Sequence, residues 1–312
     1  MKNLKKILLA IIFIFSALNL KAETWNEPWQ KEIIEKSDYF VFGKVIENNG
    51  KNAKIKIEKR FGNEITPDEI IIDNYFLLEL TSSSGETINI DLKRNSSYYL
   101  FLKKNKNNNY SLPTPTSGFA ELDNKNVIAT YRHSYHQASI PQIIYELTFE
   151  NIWSYYKTGK FDKTKILNFI NDYLSKHPAG FAENEISLFY VQHSALETAY
   201  LLDLMPNIND VLKFAKSENF HSRVSALQLL GNYKTKENDN YLISVILDKT
   251  SANFEKVIAI WSIKKSNNKE YFELLKKNIS QLSDKSEGFG GNNMDPRVGT
   301  YFPSPKQAVE SL

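Results

Sequence analysis

The sequence predicts a protein of two parts, a small β-barrel followed by an array of paired α-helices. Three observations carry this. Between Tyr39 and Leu112 apolar residues alternate or form short runs, with turn residues at intervals of roughly ten. Beyond residue 146 they recur at three and four, the spacing of one helix face. Two stretches, His221–Lys249 and Asn253–Leu282, also echo each other. Val224, Ala226 and Leu230 correspond to Val257, Ala259 and Ile263 at an offset of 33 residues.

The chain opens with a basic start, Lys2, Lys5 and Lys6, and an apolar run from Ile7 to Leu20, with Ala22 as a small residue for cleavage. That run is short of the ~20 residues a bilayer span needs, so residues 1–22 read as a cleaved export signal. The expected location is periplasmic or extracellular, with no integral membrane segment after signal removal. The chain contains no cysteine. This closes the lipoprotein route, which needs a cysteine at the cut, and excludes disulfides and thiolate metal sites. The formal charge of +3 comes from the leader, which holds four lysines and no acid; the remaining 290 residues carry 35 basic and 36 acidic side chains. Nucleic acid is not an expected partner, because counterion-release binding needs a strong positive excess that neither half has.

A first helix is expected with Trp25, Trp29, Ile33 and Ile34 on one face, closed by Ser37-Asp38. Tryptophan can stack on a ligand, but packing onto the sheet is the favoured reading of Trp25 and Trp29. Tyr39–Glu47 follows as a central strand, where Gly43 signals a bulge or a close backbone approach. Asn48-Asn49-Gly50 is a turn. Ala53, Ile55, Ile57 and Phe61 then alternate with Lys54, Lys56, Glu58 and Arg60, a strand with one wet face. Further strands are expected at Glu69–Asp73, Thr87–Leu92 and Tyr98–Lys103, with Tyr110 and Leu112 returning before Pro113 and Pro115 end the run.

The segment Asp38-Tyr39-Phe40-Val41-Phe42-Gly43-Lys44-Val45, the later Tyr98–Lys103 and Gly118 after the prolines resemble the netrin-like, or tissue-inhibitor-of-metalloproteinase, module. The resemblance covers about Glu23–Tyr145 and implies an OB-like five-stranded barrel flanked by helices. Those inhibitors chelate a protease zinc through an N-terminal cysteine, which this chain lacks, so the resemblance implies fold and not inhibition.

Helices follow the barrel. Phe149, Ile152, Trp153 and Tyr156 mark one over Thr148–Lys157, and Asp162 caps the next, with Ile166, Phe169, Ile170 and Leu174 as its stripe. Glu185–Met205 is a longer helix ended by Pro206, with Ile208–Ser217 as its partner. Then come the two echoing pairs, with Tyr241 and Tyr271 in corresponding second helices. Residues 185–282 resemble degenerate HEAT repeats, which implies an α-solenoid of stacked helix pairs. The expected organisation is a signal at 1–22, the barrel at 23–145, the HEAT-like region at 146–282, a flexible glycine- and asparagine-rich loop at 283–303, and a last helix at 304–312. Ser304 caps that helix, with Pro305 at its first position.

Catalytic motifs are missing: there is no Gly-x-Ser-x-Gly, no His-Glu-x-x-His and no phosphate loop. The one concentration of chemistry-bearing residues is the seam between the parts, where Tyr131, Arg132, His133, Tyr135 and His136 lie together. On a strand His133 and His136 would face opposite sides, so a shared metal would need a bend, with Asp123 or Glu146 as a further ligand. Hydrogen-bonded packing between the parts is the stronger reading. His193 is expected in the core, His177 at a helix end and His221 exposed. No cofactor is expected. The function expected is that of an exported, non-enzymatic binding or scaffolding protein that holds a protein partner on its helical surface. The alternative is a hydrolase or metal-dependent enzyme centred on the seam.

Overall fold

The computed structural model describes residues 25–73, 78–81, 87–114, 117–133, 136–286, 298–299 and 302–312. The proposed leader lies outside these residues, as do most of the 283–303 loop and Ser134 and Tyr135 of the seam. The strands are β1 (Trp25–Asn26), β2 (Tyr39–Asn48), β3 (Asn52–Phe61), β4 (Glu69–Asp73), β5 (Leu78–Thr81), β6 (Thr87–Ile90), β7 (Ser97–Lys104), β8 (Tyr110–Ser111), β9 (Phe119–Asp123), β10 (Asn126–Thr130), β11 (Gln137–Pro141) and β12 (Val298–Gly299). The helices are α1 (Gln30–Lys36), α2 (Gln142–Thr158), α3 (Lys163–Leu174), α4 (Ile186–Leu201), α5 (Ile208–Ala215), α6 (Phe220–Leu230), α7 (Lys236–Leu247), α8 (Asn253–Ser266), α9 (Lys269–Lys277) and α10 (Pro305–Glu310).

Five strands close a barrel in the order β2-β3-β4-β8-β7, with β7 returning to β2. Only the β4–β8 contact is parallel, at Ile72 and Tyr110. This is an OB-like barrel. The outer edge of β7 is shared, its first half with β9 and its end with β8. Strands β9, β10 and β11 therefore extend the sheet away from the barrel. Gly43 answers to both expectations. The β2–β3 register shifts beside it, and a Cβ there would lie 2.7 Å from the Lys56 carbonyl oxygen.

The alternation in β2, β3 and β7 separates two apolar layers. Val41, Val45, Ile55, Ile57, Leu100 and Leu102 fill the barrel interior. Phe40, Phe42, Phe61, Tyr99 and Phe101 face outward, yet they are buried under α1 and α2 by Ile33, Ile34, Phe149 and Trp153. This second layer continues through the helices as a single core. Each such side chain contributes about 1.5–3 kcal/mol on burial, so the barrel's outer face is a main source of cohesion between the parts.

Helix α2 starts at Gln142, directly after Pro141 and earlier than the Thr148 expected. Helix α1 is shorter than expected: Trp29 is its N-cap, and Trp25 belongs to a strand. Further along, α4, α6, α8 and α10 pack side by side, while α3, α5 and α7 lie against them as a second layer. Inner helices α4, α6 and α8 are buried around most of their circumference, as their nearly continuous apolar and small residues require. Outer helices α5 and α9 have one apolar stripe and one wet face. Val191, Val224 and Val257 are buried at equivalent places one 33-residue step apart. Tyr241 and Tyr271 also play matching roles, donating to the Ala215 carbonyl and the Asn240 side chain of the preceding outer helices. The last helix packs against α8 and α9, with Ala308 and Val309 buried. Ser304 Oγ accepts from Gln307 N in a capping box, as expected.

Candidate functional site

Residues 131–136 connect β10 to β11 in a hairpin, and His136 N donates to the His133 carbonyl at 2.8 Å. The chain therefore reverses direction between β10 and β11. Tyr131, Arg132 and His133 are buried, and each finds a partner on a different part of the chain.

The Tyr131 hydroxyl pairs with Thr148 Oγ1 of α2 at 2.6 Å, and its ring rests on Phe149. The Arg132 carbonyl accepts from Gln30 N, which pins the start of α1 to the seam. Its guanidinium lies 3.4 Å from Glu197 of α4, with both side chains almost wholly buried. Burial draws the Arg132 pKa down against the attraction of Glu197, and burial likewise pushes the Glu197 carboxyl up. Each is tolerated because the other is there. His133 turns away from His136: its Nε2 lies 3.1 Å from the Glu27 carbonyl, and its ring meets the edge of Trp29. Tyr135 lies outside the described residues. The two seam histidines thus do not converge. Glu146 is engaged with Tyr99 and Lys59, and Asp123 is exposed at the end of β9.

His136 meets other histidines instead. Its ring centroid is 4.2 Å from that of His193 on α4 and 4.4 Å from that of His221 at the start of α6. His221 is half-buried, not exposed as expected, because the seam turn and Phe181 cover it. Burial lowers the pKa of His136 to about 2 and of His221 to about 4, and lowers that of His193 well below the ordinary value; the Arg132 charge adds to all three. They are neutral imidazoles. Ser225 Oγ donates to Glu197 at 2.7 Å, so toward His193 Nδ1, 3.1 Å away, it acts as acceptor. That fixes the proton of His193 on Nδ1 and leaves Nε2 buried without a partner. The serine proton points to the carboxylate and not to the imidazole, the reverse of an activated nucleophile. Among the described residues no group of three His, Cys, Asp or Glu side chains is arranged to hold a metal.

Tyr131 and Arg132 also line a cleft of about 250 Å³ between the seam and the inner helices. Its walls are Trp29 at the α1 cap, Tyr200 and Leu201 of α4, and Ile258 and Trp261 of α8, with Lys31, Glu32 and Lys265 among its polar lining. Trp29 and Trp261 meet edge to face, with ring centroids 5.6 Å apart. The Gln228 amide borders the cleft and is hydrogen-bonded with the Tyr200 side chain, while its side-chain oxygen is buried without a hydrogen-bond partner of its own. The sequence reading assigned Trp29 to packing and singled out neither Trp261 nor Gln228. All three sit where helical periodicity demands core-facing residues, so the pattern alone could not separate them from core.

Apart from these local arrangements, no helix among the described residues is long and apolar enough to cross a membrane. Comparison of the chain with family models, with curated proteins and with solved structures returns no match, so the site's own chemistry is what bears on function.

Proposed function

We propose that the chain is an exported, non-enzymatic binding protein that engages another protein through the inner helices, where they meet the seam. The observation that supports this best is the aromatic cleft beneath Trp29 and Trp261, which leaves a buried amide oxygen of Gln228 without a partner. Clefts with mostly apolar walls and a few placed polar groups are the usual form of a binding site. Export is read from the basic and apolar start of the sequence. The paired helices are taken as HEAT-like repeats and the barrel as a netrin-like module. The supports are the 33-residue spacing of the inner helices and the OB-like strand order.

Immobilised full-length protein, exposed to the extracytoplasmic fraction of its own cells, is expected to retain one partner reproducibly. Trp261→Ala is expected to lose that partner with its circular dichroism unchanged. No reproducible partner, or one indifferent to Trp261, would overturn the reading.

A further inference from the structure

We infer that the cleft receives an aromatic ring carrying an N–H or O–H donor, the chemistry of a tryptophan or tyrosine side chain on the partner. The inference rests on the binding function proposed above and specifies what enters the site. Size comes first. An apolar cavity of ~150 Å³ is enough to admit benzene, and this cleft offers about 250 Å³, room for a two-ring indole. The walls come second. Two indoles set at 77° to each other present one face and one edge, so a third ring can meet both in the offset and edge-to-face arrangements that aromatic pairs favour. Ile258 and Leu201 complete an apolar lining that would leave a charged or heavily hydroxylated ligand poorly solvated.

Electrostatic complementarity then selects among rings. The unmatched group bordering the cleft is an acceptor, the Gln228 side-chain oxygen. An incoming N–H or O–H would satisfy it, whereas a phenylalanine or leucine side chain would leave it orphaned. Lys265, which also lines the cleft, is held by Asp203 at 2.6 Å and by Asn232 at 2.7 Å. It is therefore fixed over the Tyr200 ring, 4.6 Å from its centroid, and does not compete for the acceptor. Aromatic anchors set in desolvated pockets carry much of the affinity at protein interfaces, and this cleft has the form of such a pocket.

The test uses the full chain and three probes followed by saturation-transfer NMR: N-acetyltryptophanamide, its 1-methylindole analogue and N-acetylleucinamide. The indole N–H is expected to give binding about tenfold tighter than the methylated ring, the effect of one hydrogen bond to a buried acceptor. The leucine probe is expected not to bind. Gln228→Met should bring the two indole probes to within about twofold of each other, and Trp261→Ala should abolish both. Equal binding of the two indoles to the unaltered protein, or binding of the leucine probe, overturns the inference without reference to any variant. If all probes are silent while partner capture still depends on Trp261, the inference falls and the binding function stands. If the probes bind in the stated order and no partner is captured, the ring chemistry stands and the protein-partner function falls.

Discussion

Arg132 and Glu197 show what one buried pair can demand. They come from opposite parts of the chain and meet at 3.4 Å with almost no solvent. Removing one partner leaves a bare charge in the interior, so Glu197→Leu is expected to cost about 3–5 kcal/mol in urea unfolding. The double variant Arg132→Met/Glu197→Leu should recover most of that loss, and failure to recover would mean the pair contributes more than mutual neutralisation. Beside it, His136, His193 and His221 remain neutral because burial and the Arg132 charge hold their pKa values down. A base depressed on folding stabilises the protein fully above its unfolded pKa, near 6.5, and that stability drains away as the pH falls toward the folded value. Below pH 6.5 each such histidine adds a slope of at most ~1.4 kcal/mol per pH unit. Glu197, whose pKa is raised, works in the opposite sense and offsets part of it. His136→Phe is therefore expected to flatten the loss of stability between about pH 6 and pH 4, measured by thermal melts. An unchanged profile would show that His136 binds protons alike in the folded and unfolded states over this range. None of this residue-scale pairing was legible in the sequence. His193 could be placed in a core by its helical stripe, but which imidazole lay opposite depended on how two distant segments docked.

Elements were far easier to read than contacts. Gly43, Pro141, Ser304 and Pro305 act through the backbone within a few residues of themselves, and each did in the structure what its local chemistry required. Errors arose where tertiary context ruled. Trp25 fits the helical face of α1, yet it pairs with a strand from the far end of the chain. Strand β9 was hidden because it is short and half-exposed, so its alternation is weak. Glycines make the element scale testable. Gly43→Ala would press a methyl group against the Lys56 carbonyl at the bulge, with an expected loss of ~1–3 kcal/mol from overpacking. Gly231→Ala at the end of α6 would meet the Ser262 backbone at 3.0 Å, in the close contact that sets the spacing of α6 and α8. It should be destabilising by a similar ~1–3 kcal/mol. Denaturant midpoints check both, and a neutral Gly231→Ala would mean that the inner helices can slide apart.

At the level of the whole molecule, the two parts share a core. The aromatic outer face of the barrel, α1, α2 and the inner helices belong to one continuous apolar layer, and among the described residues the barrel interior stands separate. A single cooperative transition is therefore expected on urea unfolding, with tryptophan fluorescence and far-ultraviolet circular dichroism superimposing. Two separated transitions would show that the shared layer does not couple barrel and helices. The sequence made the division into parts plain through the change of period. It could not reveal how little the division means for cohesion, since burial of a strand's second face depends on what is laid over it.

The parallel pairing of β1 with β12 has a consequence for the order of events in the life of the chain. Trp25 and Asn26 are made more than 270 residues before their partners Val298 and Gly299. A growing chain therefore carries an unmatched strand edge until Val298 and Gly299 have been made. Trp29, three residues beyond that edge, waits as well for Trp261 to be made before its cleft has a second wall. Chains stopped before α8 can contain a whole barrel and still lack the cleft, so possession of the cleft reports that synthesis has passed Trp261.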